Sequence, residues 1–365
     1  MLRPYALFAA SAVALCLPAA RLDAQTVIGP VTLSGYLDAY YSDEFGDNSV
    51  HQRQVTPSGV SPVYSFGKNN TFAVNEAFLD AKFATDSVHA ALGIQGGTYV
   101  DANYASESEI TRHLYEAYAG LRIAKDLWID AGIFASHIGL ESAVSKDNWT
   151  LTRSLVADNT PYYETGAKAT YTPGSRWLLS ALVLNGWQNI RDNNSNKAIG
   201  TQIQYKPNDA LVFDSSTFVG EGRNDPTPLE RERYFHDFYF TDQIDARWAA
   251  GVQLDVGWEE KSHTDHALNS WTSGAAIAHF QISPRYAVSA RAEFYHDPDG
   301  VIIATGTPGN FSAYGGSAGL DYAPAKNLLT RVELRSLRAD HPVFVHGGEL
   351  WRDSTYATAA FCVSF

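Results

Sequence analysis

Ser354-Thr355-Tyr356-Ala357-Thr358-Ala359-Ala360-Phe361-Cys362-Val363-Ser364-Phe365 closes the chain, and its alternation decides the fold. Side chains on an extended strand point to opposite faces in turn. Ala357, Ala359, Phe361, Val363 and Phe365 therefore share one face, while Ser354, Thr358, Cys362 and Ser364 share the other. Roughly ten residues of this kind match a tilted strand crossing a bilayer, with lipid on one side and water on the other. The pattern recurs upstream. Residues 126–137 set Leu127, Ile129, Ala131, Ile133 and Ala135 against Trp128, Asp130 and Ser136. Residues 286–297 set Tyr286, Val288, Ala290, Ala292 and Phe294 against Ser289, Arg291, Glu293 and Asp297, and residues 328–336 repeat it with Leu328, Val332 and Leu334 against Arg331, Glu333 and Arg335.

The whole chain has 365 residues, 45% hydrophobic, 13% aromatic and 18% charged, with a formal net charge of −13. Such apolar content excludes a disordered chain. The acidic balance excludes a nucleic-acid partner, which requires a basic face. Beyond residue 24 no apolar run is long enough for a helical span, but a membrane protein that crosses with strands is not excluded. Residues 1–24 read as a secretory signal: Arg3 starts it, Ala6 to Ala20 form the apolar stretch, and Leu22-Asp23-Ala24 precedes cleavage at Gln25. The expected mature domain is 25–365, exported through the Sec pathway, with Cys362 as its one thiol and no disulfide.

Connections between the alternating segments are short, then long, in strict turn. Short turns fall at 85–87, 124–126, 173–175, 207–209, 241–245, 283–285 and 324–327. Longer polar stretches fall at 43–70, 101–109, 138–161, 188–196, 221–231, 258–269, 298–311 and 338–353. This spacing predicts an all-β, up-and-down antiparallel transmembrane barrel of about 16 strands (range about 14–18), with tight periplasmic turns and long extracellular loops. Closure is required because hydrocarbon offers no partner to an open sheet edge. Segment 106–123 also fits a helix capped by Ser108. We read it as a strand, with Tyr115, Ala117, Ala119, Leu121 and Ile123 outward and Glu116, Tyr118 and Arg122 inward. Tyr36, Tyr40, Tyr41, Trp177, Trp187, Trp258 and Trp271 lie near expected strand ends, where aromatic girdles form.

The stretch Trp128-Ile129-Asp130-Ala131-Gly132-Ile133-Phe134-Ala135-Ser136-His137-Ile138-Gly139-Leu140-Glu141-Ser142 resembles the outer-membrane β-barrel porin family called OmpL-like. Asp147-Asn148, Thr152-Arg153-Ser154, Pro161 to Gly166, Asn185-Gly186-Trp187-Gln188 and Gly35 to Tyr41 carry the same likeness. It is clear over about residues 33–220, and beyond them it rests on pattern. The resemblance implies a barrel and a porin, and leaves the solute open.

No catalytic constellation, cofactor site or metal spacing emerges. Gly315-Gly316-Ser317-Ala318-Gly319 matches the nucleophile pattern, but no helix follows it, as that motif requires. His236 and His279 are strand histidines with no Ser partner assignable by spacing. Asp297-Pro298-Asp299-Gly300 and the Asp43, Glu44, Asp47, Asn48 group fit turn and loop chemistry better than a calcium loop.

What remains is the lumen. Inward positions carry Glu76, Asp80, Arg112, Glu116, Arg122, Asp130, Glu164, Lys168, Arg247, Asp255, Arg291, Glu293, Arg331, Glu333 and Arg335. Charged rings of this kind set ion preference, and a barrel of about 16 strands leaves an aqueous channel. Segment 138–161, with Glu141, Lys146, Asp147, Arg153 and Asp158, is expected to fold inward opposite the Arg291, Arg331 and Arg335 strip and constrict the pore. The expected function is passive diffusion of small hydrophilic solutes or ions across the outer membrane of a Gram-negative-type bacterium. Rival readings are a barrel enzyme of lipase or protease type, a blocked barrel that binds ligands at the surface, and a soluble exported domain. Expected partners are outer-membrane lipid, the barrel-assembly machinery through the strand ending in Phe365, and two further copies in a homotrimer.

Overall fold

The computed structural model describes residues 26–46, 51–53, 61–192, 196–221, 231–262 and 264–365. The signal reading, and Asp47 and Asn48, lie outside the described residues. In chain order the strands are β1 (Thr26–Ile28), β2 (Val31–Glu44), β3 (Thr71–Ala84), β4 (Val88–Gly96), β5 (Leu114–Ala124), β6 (Leu127–Ala135), β7 (Tyr163–Tyr171), β8 (Trp177–Leu184), β9 (Ala198–Tyr205) and β10 (Leu211–Glu221). They continue with β11 (Glu232–Asp242), β12 (Trp248–Ser262), β13 (Asp265–Ser283), β14 (Tyr286–Asp297), β15 (Phe311–Ala325), β16 (Leu328–Ala339), β17 (Phe344–His346), β18 (Glu349–Trp351) and β19 (Asp353–Ser364).

Each strand from β2 to β16 pairs antiparallel with the next, and β19 bridges β16 and β2, so sixteen strands close into a barrel. The last residue seals the seam. Gly35 donates its N–H to the Phe365 carbonyl (2.6 Å), and Phe365 returns the bond to Gly35 (2.9 Å). The Phe365 ring lies so close over Gly35 that a Cβ there would stand 2.4 Å from it. β1 adds a short hairpin to β2, and β17 and β18 pair within the last outer loop.

Outward positions are apolar and open to the surroundings: Leu92 is 60% exposed, Ile199 59% and Leu334 49%, on well-separated strands. A contiguous apolar belt of this size has to meet lipid. At the periplasmic strand ends, neighbouring rings make an aromatic girdle, with Trp177 beside Tyr205 (4.3 Å), Trp248 beside Phe280 (4.6 Å) and Tyr286 beside Tyr322 (4.7 Å). Trp271, Tyr36 and Tyr40, also expected in girdles, are instead buried and inward, and Trp187 packs with Trp271 and Phe235.

The turns fall where the spacing placed them. The stretch 258–269 does not form a loop: pairing continues through Glu260↔Leu268 to Ser262↔Asp265, so β12 and β13 rise beyond their neighbours as a hairpin. Segment 106–123 becomes β5 from Leu114 onward, after a 3-10 turn at Thr111–His113. A register shift opposite Gly93 changes one side-chain assignment: Tyr115 turns inward with Glu116 and stacks on Phe78 (4.3 Å).

Candidate functional site: the lumen and its third long loop

Residues 136–162 join β6 to β7, and this segment runs into the barrel rather than over it. It carries the four-residue helix α1 (Leu155–Asp158), whose apolar residues are fully buried. The contacts begin from Arg331, which projects inward from β16 with no exposure. Its guanidinium donates to the carbonyls of Ser145 (2.5 Å), Asn148 (3.0 Å) and Trp149 (3.1 Å), and forks onto Asp321 at 2.9 Å through two nitrogens. Arg291, on β14, donates to Thr150 Oγ1 (2.9 Å) and the Thr152 carbonyl (2.5 Å). Arg335 grips Glu293 with two 2.8 Å bonds, and Glu293 in turn accepts the Leu155 N–H (2.7 Å). Glu333 accepts both the N–H and the hydroxyl of Thr152 (2.9 and 2.6 Å).

The arginine strip and segment 138–161 meet, mostly through the segment's backbone. Among the loop carboxylates expected to face the strip, Glu141 reaches it, 3.7 Å from Arg291. Asp158 and Arg153 bond to each other (3.3 Å), and Arg153 also holds the Ala143 carbonyl (2.5 Å) beneath the Tyr99 ring (4.0 Å). Lys146 and Asp147 pair locally at 3.3 Å. Loop carbonyls carry no side-chain signature, so this part of the network could not be read from composition.

Other inward residues pair across strands. Glu116 meets Lys82 (2.7 Å), Asp130 meets His89 (2.5 Å), and Lys168 lies over the Phe134 ring (4.5 Å). Glu164 accepts from His137 Nδ1 (3.0 Å), while His137 Nε2 reaches the Thr217 carbonyl (2.9 Å). Both imidazole nitrogens thus face acceptors, which requires the doubly protonated ring. Burial opposes that charge, but Glu164 raises the His137 pKa overall. Burial also raises Glu141, with Arg291 working against it, and pushes Asp158 up to about 6 against the pull of Arg153.

Three expected lining residues stand elsewhere. Arg247 is in the turn before β12, its N–H held by Asp245 (2.7 Å), because β12 starts one residue later than the alternation suggested. Arg112 sits in the 3-10 turn ahead of β5 and donates to the Glu107 carbonyl (3.2 Å). Arg122 lies exposed at the periplasmic end of β5, near Trp128. Asp297 is a turn group: its carboxylate takes the N–H groups of Val301, Ile302 and Ile303, each at 2.8 Å. The Gly315 to Gly319 stretch is plain strand within β15.

The register supplies one pairing that spacing concealed. Ser215 Oγ and His236 Nε2 lie 2.8 Å apart on the outer wall. That is nucleophile-to-base distance, but such a pair needs a third group to orient the imidazole. Among the described residues, none orients the His236 imidazole.

A closed sixteen-stranded barrel with an inserted third loop is matched by a family described as "Putative beta-barrel porin-2, OmpL-like", over residues 30–365. The chain belongs to this family. No curated protein matches it by sequence. Among solved structures, this porin is similar in fold to the anion-selective porin from Comamonas acidovorans (TM-score 0.60, 10% identity, covering 92% of this chain and 99% of that one). It also resembles OmpF of Salmonella typhi in complex with daunomycin (0.57, 12%, 93% and 100%) and the outer-membrane channel DcaP of Acinetobacter baumannii (0.56, 11%, 92% and 97%). The porin is an outer-membrane protein on this evidence.

Proposed function

We propose that this porin passes small hydrophilic solutes by diffusion, through a lumen narrowed by segment 138–161. The anchoring of that segment carries the reading: buried Arg331 on β16 and Arg291 on β14 bind it at carbonyls of residues 145–152, and Arg335 holds Glu293, which accepts the Leu155 N–H, so the segment forms a cross-wall inside the barrel. A constriction fixed by hydrogen bonds to both walls sets a size limit rather than a chemical transformation. The Ser215–His236 pair, with no third group to orient the imidazole among the described residues, supports a channel rather than an enzyme. Export by residues 1–24, recognition of the Phe365 strand by the assembly machinery and trimer formation belong to the same reading, supported by the terminal alternation and the family.

Liposome swelling tests it. Purified porin in vesicles should admit small sugars and exclude larger ones with a sharp size dependence, and vesicles that remain impermeable to every sugar would refute diffusion.

A further inference from the structure

Five of the outer loops and the outer end of β11 enclose a cavity of about 450 Å³. Asp158, Asn159 and Thr160 of the third long loop form one wall. Asn103 and Gln188 form another, and Trp187, Arg233 and Ile302 complete the lining. The size falls inside the range of roughly 300–1,000 Å³ that small-molecule sites occupy.

The hydrogen-bond inventory of this lining selects the chemistry of what fits. Its two ionised groups are spent on neighbours. Asp158 accepts from Arg153 (3.3 Å) and from the Ser65 hydroxyl (3.2 Å), and Arg233 forks onto Glu259 at 3.0 and 2.5 Å. The amide hydrogens are spent too. Asn159 Nδ2 donates to the carbonyls of Pro62 (3.0 Å) and Leu155 (2.8 Å), Asn103 Nδ2 to Tyr99 Oη (2.8 Å), and Gln188 Nε2 to Asn103 Oδ1 (3.3 Å). An amide oxygen has two lone pairs, so these three side chains keep acceptor capacity once their donors are used. A matching ligand is therefore neutral and brings several O–H donors of its own.

The apolar part of the lining is equally fixed. Phe218, Phe235 and Trp271 meet Trp187 with ring planes nearly perpendicular, at 4.9, 4.9 and 6.5 Å, and the Arg233 guanidinium stands 4.8 Å from its ring centre. The indole remains half-buried, beside Ile302. Its neighbour Gln188 has a φ of 67°, the left-handed region that side chains rarely adopt, and is held there as its Oε1 accepts the Tyr162 N–H (2.7 Å). Such strain persists only where surrounding contacts over-determine it, and it gathers at ligand sites. A rigid aromatic surface next to an acceptor-rich, charge-balanced wall suits a molecule with C–H faces and a rim of hydroxyls.

We propose that this cavity binds a neutral saccharide, its C–H face on Trp187 and its hydroxyls donating to the oxygens of Asn103, Asn159 and Gln188. Because residues 158–160 belong to the loop that narrows the lumen, the site lies at the entrance to the constriction. That sugars bound there go on to pass the barrel rests on the channel reading; the binding itself does not.

Equilibrium dialysis of the detergent-purified porin against radiolabelled glucose, maltose and raffinose tests the site without requiring conductance. At least one of these neutral sugars should bind saturably. Glucosamine and gluconate, a cation and an anion of glucose's size, should bind more weakly than glucose. Trp187→Ala should weaken sugar binding on the order of tenfold, as loss of a central aromatic contact does. Ala105→Trp fills the cavity from an exposed lining position and should abolish binding in a barrel whose packing is untouched, with a heat-modifiable gel band reporting the fold of both variants. Absence of saturable binding for all three neutral sugars overturns the proposal, as does equal binding of the charged analogues or unchanged binding in folded Ala105→Trp. Saturable binding by a barrel whose vesicles admit no sugar would keep the site and defeat the channel. Sugar passage with no saturable binding would keep the channel and overturn the site.

Discussion

Replacing Arg331 by Met removes one guanidinium while keeping much of its volume, and its effect can be worked out from the contacts. Arg331 holds three loop carbonyls and the Asp321 carboxylate, with no exposure of its own. Hydrogen bonds to a charged group contribute roughly 1.5–3 kcal/mol each. Water entering an opened lumen resolvates the freed carbonyls, so the loss is best set at the lower end for a broken buried pair, about 3 kcal/mol. At about 1.4 kcal/mol per tenfold, the loop-detached population should rise on the order of 10²-fold. The native reporter is Cys362, which is 2% exposed with its Sγ 3.6 Å from Ser145 Oγ beneath the loop. Maleimide labelling of Cys362 in the folded barrel should accelerate by about that factor in Arg331→Met. Labelling as slow as in the wild type would show that the loop is held by something other than the arginine strip, and would refute the reasoning.

Acidity should tighten the same loop. Asp158 has a raised pKa of about 6 against an ordinary value near 3.8, so the packed loop binds its proton more strongly than the detached one. Loop anchoring is then fully supported below about pH 4 and weakens as pH rises through about 6, and the raised Glu141 acts in the same direction. His137, also raised, adds stability that is lost as pH climbs past its own elevated value. Cys362 labelling cannot be compared across pH without correction for thiolate, so loop mobility by a spin label at Lys146 is the better measurement, and lower mobility at neutral than at acid pH would contradict the assignment. Gly35→Ala puts a Cβ into the Phe365 ring and should slow barrel closure, visible as a reduced folded fraction on gels; unchanged folding would show that the ring moves aside freely. Ser215→Ala should leave solute passage intact and remove no lipid hydrolysis, because its His236 partner is not oriented; a phospholipase activity lost in this variant would reopen the enzyme reading.

Much of the architecture was legible because the rule that writes it is local. A strand between lipid and water must alternate, and a chain that crosses repeatedly must turn tightly on one side, so the terminal stretch from Ser354 and the turn at Ser283-Pro284-Arg285 could be placed from residue types alone. The errors came where tertiary geometry overrides alternation. A register shift opposite Gly93 turned Tyr115 inward, and the β12–β13 hairpin continues pairing through residues that look like polar loop. Trp271 and Tyr36, read as interfacial anchors, pack inside the lumen because the inserted loops give them partners there. The site was half visible. The strip Arg291, Arg331 and Arg335 stands at alternate positions and could be recognised; its partners are largely backbone carbonyls, which every residue carries and no sequence distinguishes.

Single-channel recording of the purified porin in planar bilayers tests the central claim most directly. Discrete conductance steps in the wild type, growing larger in Arg331→Met as the third loop lets go, are the result this account predicts. A barrel that inserts with its strands folded yet passes no current, with and without the Arg331 anchor, would contradict it.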